Sequence, residues 1–340
     1  MGVVKQIAFD VVLICVFTVL SLWKTLFFFL WRLFFRPKRT GSLRTPEERF
    51  SDLADYPYAP HYMEIEGYRV HYIDEGPSNA DKTVVCLHGE PTWSYLYRKL
   101  VRPLTDAGHR VVAPDFIGFG KSDKPSDEAD FTHELHMRTV KDFFEGLDLT
   151  NVTLVVHDWG GITGLTALES INDRVSRLVI LNTAIPPSGG SQISFISKMN
   201  FLMWRSSAAF FESWLPIARV MSTAVPGISP DAIKGYTAPF PDRHYKIGAG
   251  KWPLMVPLSR HGHVAMYTRP AREFLSHWKK PSLVMFSDKD PLLRDLAPYF
   301  KQLIPGTKDV PAVVIRGARH FVTEEKGEEV AERIVEFLER

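Results

Sequence analysis

From residue 62 onward the chain alternates short apolar runs with stretches whose apolar residues recur at helical spacing. Residues 68–74 alternate like a half-exposed strand. Residues 83–87 (TVVCL), 110–114 (RVVAP), 152–156 (VTLVV), 177–181 (RLVIL), 282–286 (SLVMF) and 312–315 (AVVI) read as buried strands. Between them, residues 131–147 place Leu135, Val140, Phe143, Phe144 and Leu147 on one helical face, residues 161–170 open a further helix, and residues 324–338 close the chain as an amphipathic helix. Strands that are apolar throughout, separated by helices, predict an α/β fold whose mostly parallel sheet is covered on both faces.

Two segments break this rhythm. Residues 185–262 carry no strand–helix beat but many aromatics and methionines, among them Phe195, Met199, Phe201, Met203, Trp204, Phe210, Phe211 and Trp214. They predict a helical cap over the C-terminal edge of the sheet. Residues 7–35 (IAFDVVLICVFTVLSLWKTLFFFLWRLFF) form an apolar run interrupted only by Asp10, Lys24 and Arg32. That is long enough to cross a bilayer if Lys24 snorkels, with Trp23 and Trp31 as interfacial residues. Bulky residues continue to its end, unlike a cleavable signal peptide. Arg36, Lys38, Arg39 and Arg44 follow the run and only Lys5 precedes it, which predicts a cytoplasmic catalytic body. A monotopic anchor lying in the interface is the second possibility. The expected organisation is an anchor over residues 1–36, a polar linker over 37–61, a core in two parts (62–184 and 263–340), and the cap over 185–262.

Composition changes this picture little. The 340 residues are 45% hydrophobic and 24% charged, which excludes a disordered or fibrous chain. A net charge of +2 gives no reason to expect nucleic acid. Two cysteines, Cys15 and Cys86, build neither a disulfide framework nor a Cys-rich metal module.

The chemistry gathers after the strands. Residues 152–156 run into His157-Asp158-Trp159-Gly160-Gly161 and then a helix, the strand–turn–helix setting of a nucleophile elbow, with Asp158 at the apex. Such an Asp could equally cap the helix that follows. His88-Gly89-Glu90-Pro91 follows an earlier strand, where the Glu90 backbone N–H can meet an oxyanion, and the Trp159 N–H supplies a second donor. Residues 115–122 (DFIGFGKS) read as a structural turn. His320 stands on a short loop after the last strand and is the expected base. Asp290, entering the Pro291-Leu292-Leu293 turn, is its expected acid, and Asp288 a turn-forming carboxylate. No acid follows residues 177–181, where Asn182 and Thr183 stand.

As a set, HGEPTWSYLYR, DFIGFGKSDKP, VVHDWGG, FSDKDPLL and GARHF resemble the haloalkane dehalogenases of the α/β-hydrolase superfamily. The resemblance runs from about residue 62 to the end, and the cap piece YTAPFPD at 236–242 adds to it. It implies an α/β-hydrolase fold with a helical cap. Glu90 after His88-Gly89 resembles the subfamily whose acid follows the later strand, in keeping with Asp290. It also implies halide binding by two indole N–H groups, that of Trp159 and that of a cap tryptophan. Trp204 matches by order in the cap, with Trp214 as the fallback. The N-terminal segment has no counterpart in typical soluble members.

An Asp nucleophile suits displacement at an sp³ carbon, because a carboxylate needs no base to attack. The expected partners are a small haloalkane or epoxide, the halide ion and membrane lipid, with no metal or organic cofactor. An epoxide hydrolase is the nearest alternative, sharing the Asp–His–Asp triad but needing cap tyrosines, for which Tyr236 and Tyr245 are available. A non-catalytic membrane-anchored binding protein and a luciferase-like oxygenase are more distant ones.

Overall fold

Eight strands form one twisted sheet in the computed structural model, which describes residues 12, 13, 15–20, 23, 41–186, 193–259 and 261–340. In chain order they are β1 (His61–Ile65), β2 (Tyr68–Glu75), β3 (Thr83–Leu87), β4 (Arg110–Pro114), β5 (Val152–His157), β6 (Val175–Leu181), β7 (Ser282–Ser287) and β8 (Val313–Ile315). The spatial order is β8-β7-β6-β5-β3-β4-β2-β1. The β1–β2 and β2–β4 pairings are antiparallel and the rest parallel. The central strands β3, β5 and β7 are buried at every position, as their unbroken apolar runs require.

Ten helices of the body pack around the sheet: α1 (Arg98–Asp106), α2 (His133–Gly146), α3 (Trp159–Ala167), α4 (Phe195–Phe211), α5 (Ile217–Ala224), α6 (Pro230–Thr237), α7 (Ile247–Met255), α8 (Ala265–Ser276), α9 (Ala297–Leu303) and α10 (Val322–Leu338). The segment between β6 and β7 holds α4 to α8 and no strand among the described residues, so the break in rhythm at residue 185 is a helical layer. Tyr236 of α6 ties this layer to the helices packed on the sheet. Its hydroxyl donates to Glu324 of α10 at 2.6 Å, and the same carboxylate takes two bonds from Arg98 of α1, at 2.5 and 2.9 Å.

Residues 41–61 depart from the expected linker. Ser42–Leu43 pairs with Lys124–Pro125. The Arg44 guanidinium binds both oxygens of Asp123 at 2.8 and 2.9 Å. Phe50, Leu53 and Tyr56 are buried in the core, and the Phe50 ring meets Trp93 at 5.4 Å. Spaced apolar anchors among polar residues read as a linker in sequence, yet three of them suffice to dock the segment.

Most of residues 7–35 lies outside the described residues, Trp31 included. Among the described residues no helix is long and apolar enough to cross a membrane. Val12, Leu13, residues 15–20 and Trp23 are helical and reach the cap: the Phe17 ring lies 5.4 Å from that of Phe210 in α4.

Candidate active site

The turn after β5 is held in a conformation few residues adopt. Asp158 has φ of 51° and ψ of −122°, a strained geometry of the kind that clusters at functional sites. Its side chain does not cap α3. The sharp turn works because neighbouring backbone comes very close. A Cβ on Gly160 would lie 1.9 Å from the Leu87 carbonyl oxygen, and one on Gly89 2.2 Å from Asp158 Oδ1. The Thr183 hydroxyl donates to the Asp158 carbonyl at 2.6 Å and fixes the elbow from β6.

Three loops then converge. The Glu90 backbone N–H donates to Asp158 Oδ1 at 2.9 Å. His320, on the loop between β8 and α10, places Nε2 3.4 Å from Asp158 Oδ2 and Nδ1 2.9 Å from Asp290 Oδ2. Asp290 is fully buried, and its other oxygen accepts from the Leu292 and Leu293 N–H groups at 2.8 and 3.1 Å. Asp288 accepts from the Gly317 N–H at 2.7 Å, a turn contact away from His320. Trp159 opens α3, so its backbone N–H is one of those with no intrahelical acceptor.

Electrostatics follow from this geometry. Burial disfavours the Asp158 charge, but His320 and the Glu90 N–H outweigh it and hold the carboxyl below its usual range. Burial also disfavours a charged His320, yet Asp290 and Asp158 on either side push it up to about 10. Glu90 is the reverse case. Burial and the nearby Asp158 charge push its carboxyl well up, and its Oε1 has no hydrogen-bond partner.

These groups line one cavity of about 1140 Å³. Trp159 and Trp204 both form its wall, and among the described residues neither indole N–H meets a protein acceptor. Trp252 stacks on Trp159 with ring centroids 5.3 Å apart and fixes its plane. Trp214 lies outside the cavity, 63% exposed, under the Arg243 guanidinium. No tyrosine is among the described lining residues. Tyr236 is buried against Glu324, and Tyr245 lies elsewhere in the cap.

Sequence reasoning passed over two supports. The Asn182 amide donates to Ser287 Oγ and to the carbonyls of Arg319 and His320, at 2.6, 3.0 and 2.9 Å. His157, kept neutral by burial, which lowers it to about 4, donates from Nε2 to the His320 carbonyl at 2.8 Å. A polar residue directly after a buried strand was the available signal for both. Asp115 fits its structural reading: fully buried, it binds His71, the Ser94 N–H and the Lys121 N–H at 2.7, 2.7 and 2.8 Å.

An alpha/beta hydrolase fold family matches residues 82–211. The chain is 42% identical over 299 residues to a haloalkane dehalogenase of Mycolicibacterium paratuberculosis, covering 86% of this chain and 97% of that protein. It is 40% identical over 301 residues to a haloalkane dehalogenase of Psychrobacter cryohalolentis, covering 87% and 97%. The solved structure of haloalkane dehalogenase DpaA from Paraglaciecola agarilytica superposes with a TM-score of 0.78 at 40% identity, covering 86% of this chain and 97% of that one.

Proposed function

The chain belongs to the haloalkane dehalogenases, hydrolases of the α/β-hydrolase fold, and from that premise we propose that it releases halide through an alkyl ester on Asp158. An Asp158 oxygen attacks the carbon bearing the halogen; the C–O bond forms as the carbon–halogen bond breaks, and halide leaves with the electron pair. The indole N–H groups of Trp159 and Trp204 receive that charge, since an indole nitrogen donates and cannot accept. Alkylation removes the Asp158 charge, and with it one of the two carboxylates that raise His320. His320 then gives its proton to solvent; neutral, it takes a proton from water, and the resulting hydroxide adds to the ester carbonyl. The backbone N–H groups of Glu90 and Trp159 hold the oxyanion. Collapse expels the alcohol, which takes the proton from His320, and the Asp158 carboxyl passes its own proton back to the imidazole, so that both groups are restored. Asp290 orients the imidazole and stabilises its charged form.

The observation carrying this reading is one imidazole bridging two carboxylates, at 3.4 and 2.9 Å, in a cavity walled by two tryptophans. An epoxide hydrolase would need an acid for the opening oxygen, and the described wall offers no tyrosine for it. Halide release over chlorinated, brominated and iodinated alkanes, beside diol release from matched epoxides, tests the choice. Halide without diol is expected; diol without halide overturns the reading.

The finer organisation belongs to the same proposal. Residues 1–36 attach the enzyme to lipid, residues 185–262 are the cap, and residues 41–184 and 263–340 the two parts of the core. Support for attachment lies in the apolar run at 7–35 and the basic residues Arg36, Lys38 and Arg39 behind it, and the same charge asymmetry favours a catalytic body on the cytoplasmic side.

A further inference from the structure

The N-terminal helix does more than lie near the cap: it forms part of the cavity wall. Leu13 and Phe17, one turn apart and half-buried, line the same cavity as Asp158, Trp159 and His320. Phe17 packs on Phe210, and Thr18 Oγ1 lies 3.5 Å from Ser206 Oγ in the same cap helix, α4. Among the described residues of the helix a second stripe is apolar. Val12, Val16, Val19, Leu20 and Trp23 recur at helical spacing and are 45–71% exposed. Among the described residues, the other exposed large apolar side chains are Phe195, Ile196, Trp214 and Leu258 in the cap, and only Met266 and Val314 beyond it. Leu258 is itself a lining residue at 60% exposure, so apolar surface continues from cavity to exterior. Soluble proteins rarely leave such a patch open.

We propose that this stripe lies in the hydrocarbon of a lipid bilayer and that the active-site cavity opens to the bilayer beneath the helix, so that the substrate is a lipid-dissolved, long-chain organohalide. The occupant follows from charge as well as from the stripe. The chain carries only +2 overall, yet Arg36, Lys38 and Arg39 follow the apolar run together, where anionic headgroups would meet them. A helix lying flat puts Leu13 and Phe17 toward the cap and the neighbouring exposed stripe toward acyl chains. A long alkyl halide would then pass from lipid along the helix to Asp158 without crossing water.

This rests on the dehalogenase reading, and the test separates the two. The full chain is mixed with vesicles of phosphatidylcholine and phosphatidylserine in equal parts. Halide release is followed from bromohexadecane dissolved in the vesicles and from dibromoethane in the aqueous phase. The double variant Val16→Glu/Val19→Glu puts two charges on the exposed stripe. It should bind vesicles about a hundredfold more weakly and lose bromohexadecane turnover to a similar degree, with kcat/KM for dibromoethane unchanged. Leu13→Ala/Phe17→Ala should raise KM for bromohexadecane and leave vesicle binding intact. Unchanged vesicle binding and bromohexadecane turnover in the glutamate variant overturn the proposal, as does equal loss on both substrates. So does wild-type protein that ignores vesicles and forms a dimer which the glutamates dissolve, since the stripe then covers a second copy. Wild-type protein that binds vesicles but releases halide from neither substrate overturns the dehalogenase reading, and the substrate assignment with it.

Discussion

Trp204 shows what one donor is worth. Its ring fills cavity wall, and its indole N–H meets no protein acceptor among the described residues. Trp204→Phe keeps an aromatic body and removes the donor. A hydrogen bond to a charged group contributes about 1.5–3 kcal/mol, so the alkylation rate should fall about 10- to 100-fold with little change in melting temperature. Bromide quenching of tryptophan fluorescence should weaken in parallel. Normal turnover with a lowered melting temperature would make Trp204 a packing residue only. Trp214→Phe, whose ring lies outside the cavity wall, should change neither. Glu90 gives a pH dependence. Burial and the Asp158 charge raise its folded pKa well above the ordinary carboxyl value, so over the range between the two the folded state holds a proton that the unfolded state releases. The stability tied to that proton is full below the unfolded pKa and is lost as pH rises toward the folded one. Glu90→Gln, a neutral isostere, should therefore gain melting temperature relative to wild type as pH rises from about 5 to 8. Parallel curves for the two proteins would show that Glu90 is ionised in the fold. Asp158, His320 and Asp290 were legible because each sits in a short motif directly after an apolar strand. The Asn182 contact was not, because it joins residues 138 positions apart and a hydrogen bond to a distant carbonyl leaves no pattern in sequence.

At the scale of elements, the sheet presents the site through the loops after β3, β5, β7 and β8, and Asn182 after β6 clamps the last two together. Asn182→Ala strips hydrogen bonds from Ser287 and two carbonyls in a buried setting. Each buried group left unpaired costs about 1–3 kcal/mol. The melting temperature should fall, and ester hydrolysis should slow more than alkylation, because only the second step needs His320 in place. Pre-steady-state halide bursts measure this directly: equal slowing of both steps would mean that Asn182 does not position His320. Strands β3 to β7 were readable in advance to within two residues, since a strand covered on both faces must be apolar throughout; β8 was read at the right place but is an edge strand, with Val314 exposed rather than buried. β1 was not, because His61–Ile65 (HYMEI) is an edge strand with exposed and half-buried positions and no clean alternation. Nor was α1, which is only nine residues long and carries Pro103, a residue that argues against a helix, inside it.

Across the whole molecule, the catalytic body begins earlier than composition suggests. Arg44, Phe50, Leu53 and Tyr56 belong to the packed structure. Removal of residues 1–40 should therefore leave a folded, monodisperse enzyme that turns over small haloalkanes. Removal of residues 1–60 should not, since it strips three buried apolar side chains and the Asp123 partner from the core. Circular dichroism melts of the two truncations check this, and a cooperative melt in the shorter one would return residues 41–60 to linker status. The account as a whole turns on whether the oxygen of the product alcohol comes from Asp158 or from water. A single turnover in heavy-oxygen water, with enzyme in excess over a bromoalkane, decides it by mass spectrometry of the alcohol and of the peptide holding Asp158. The account predicts an alcohol with ordinary oxygen and a heavy oxygen in the Asp158 carboxylate, because hydroxide attacks the ester carbonyl. Heavy oxygen in the alcohol of that first turnover, with Asp158 unlabelled, would mean direct displacement by water and would contradict it.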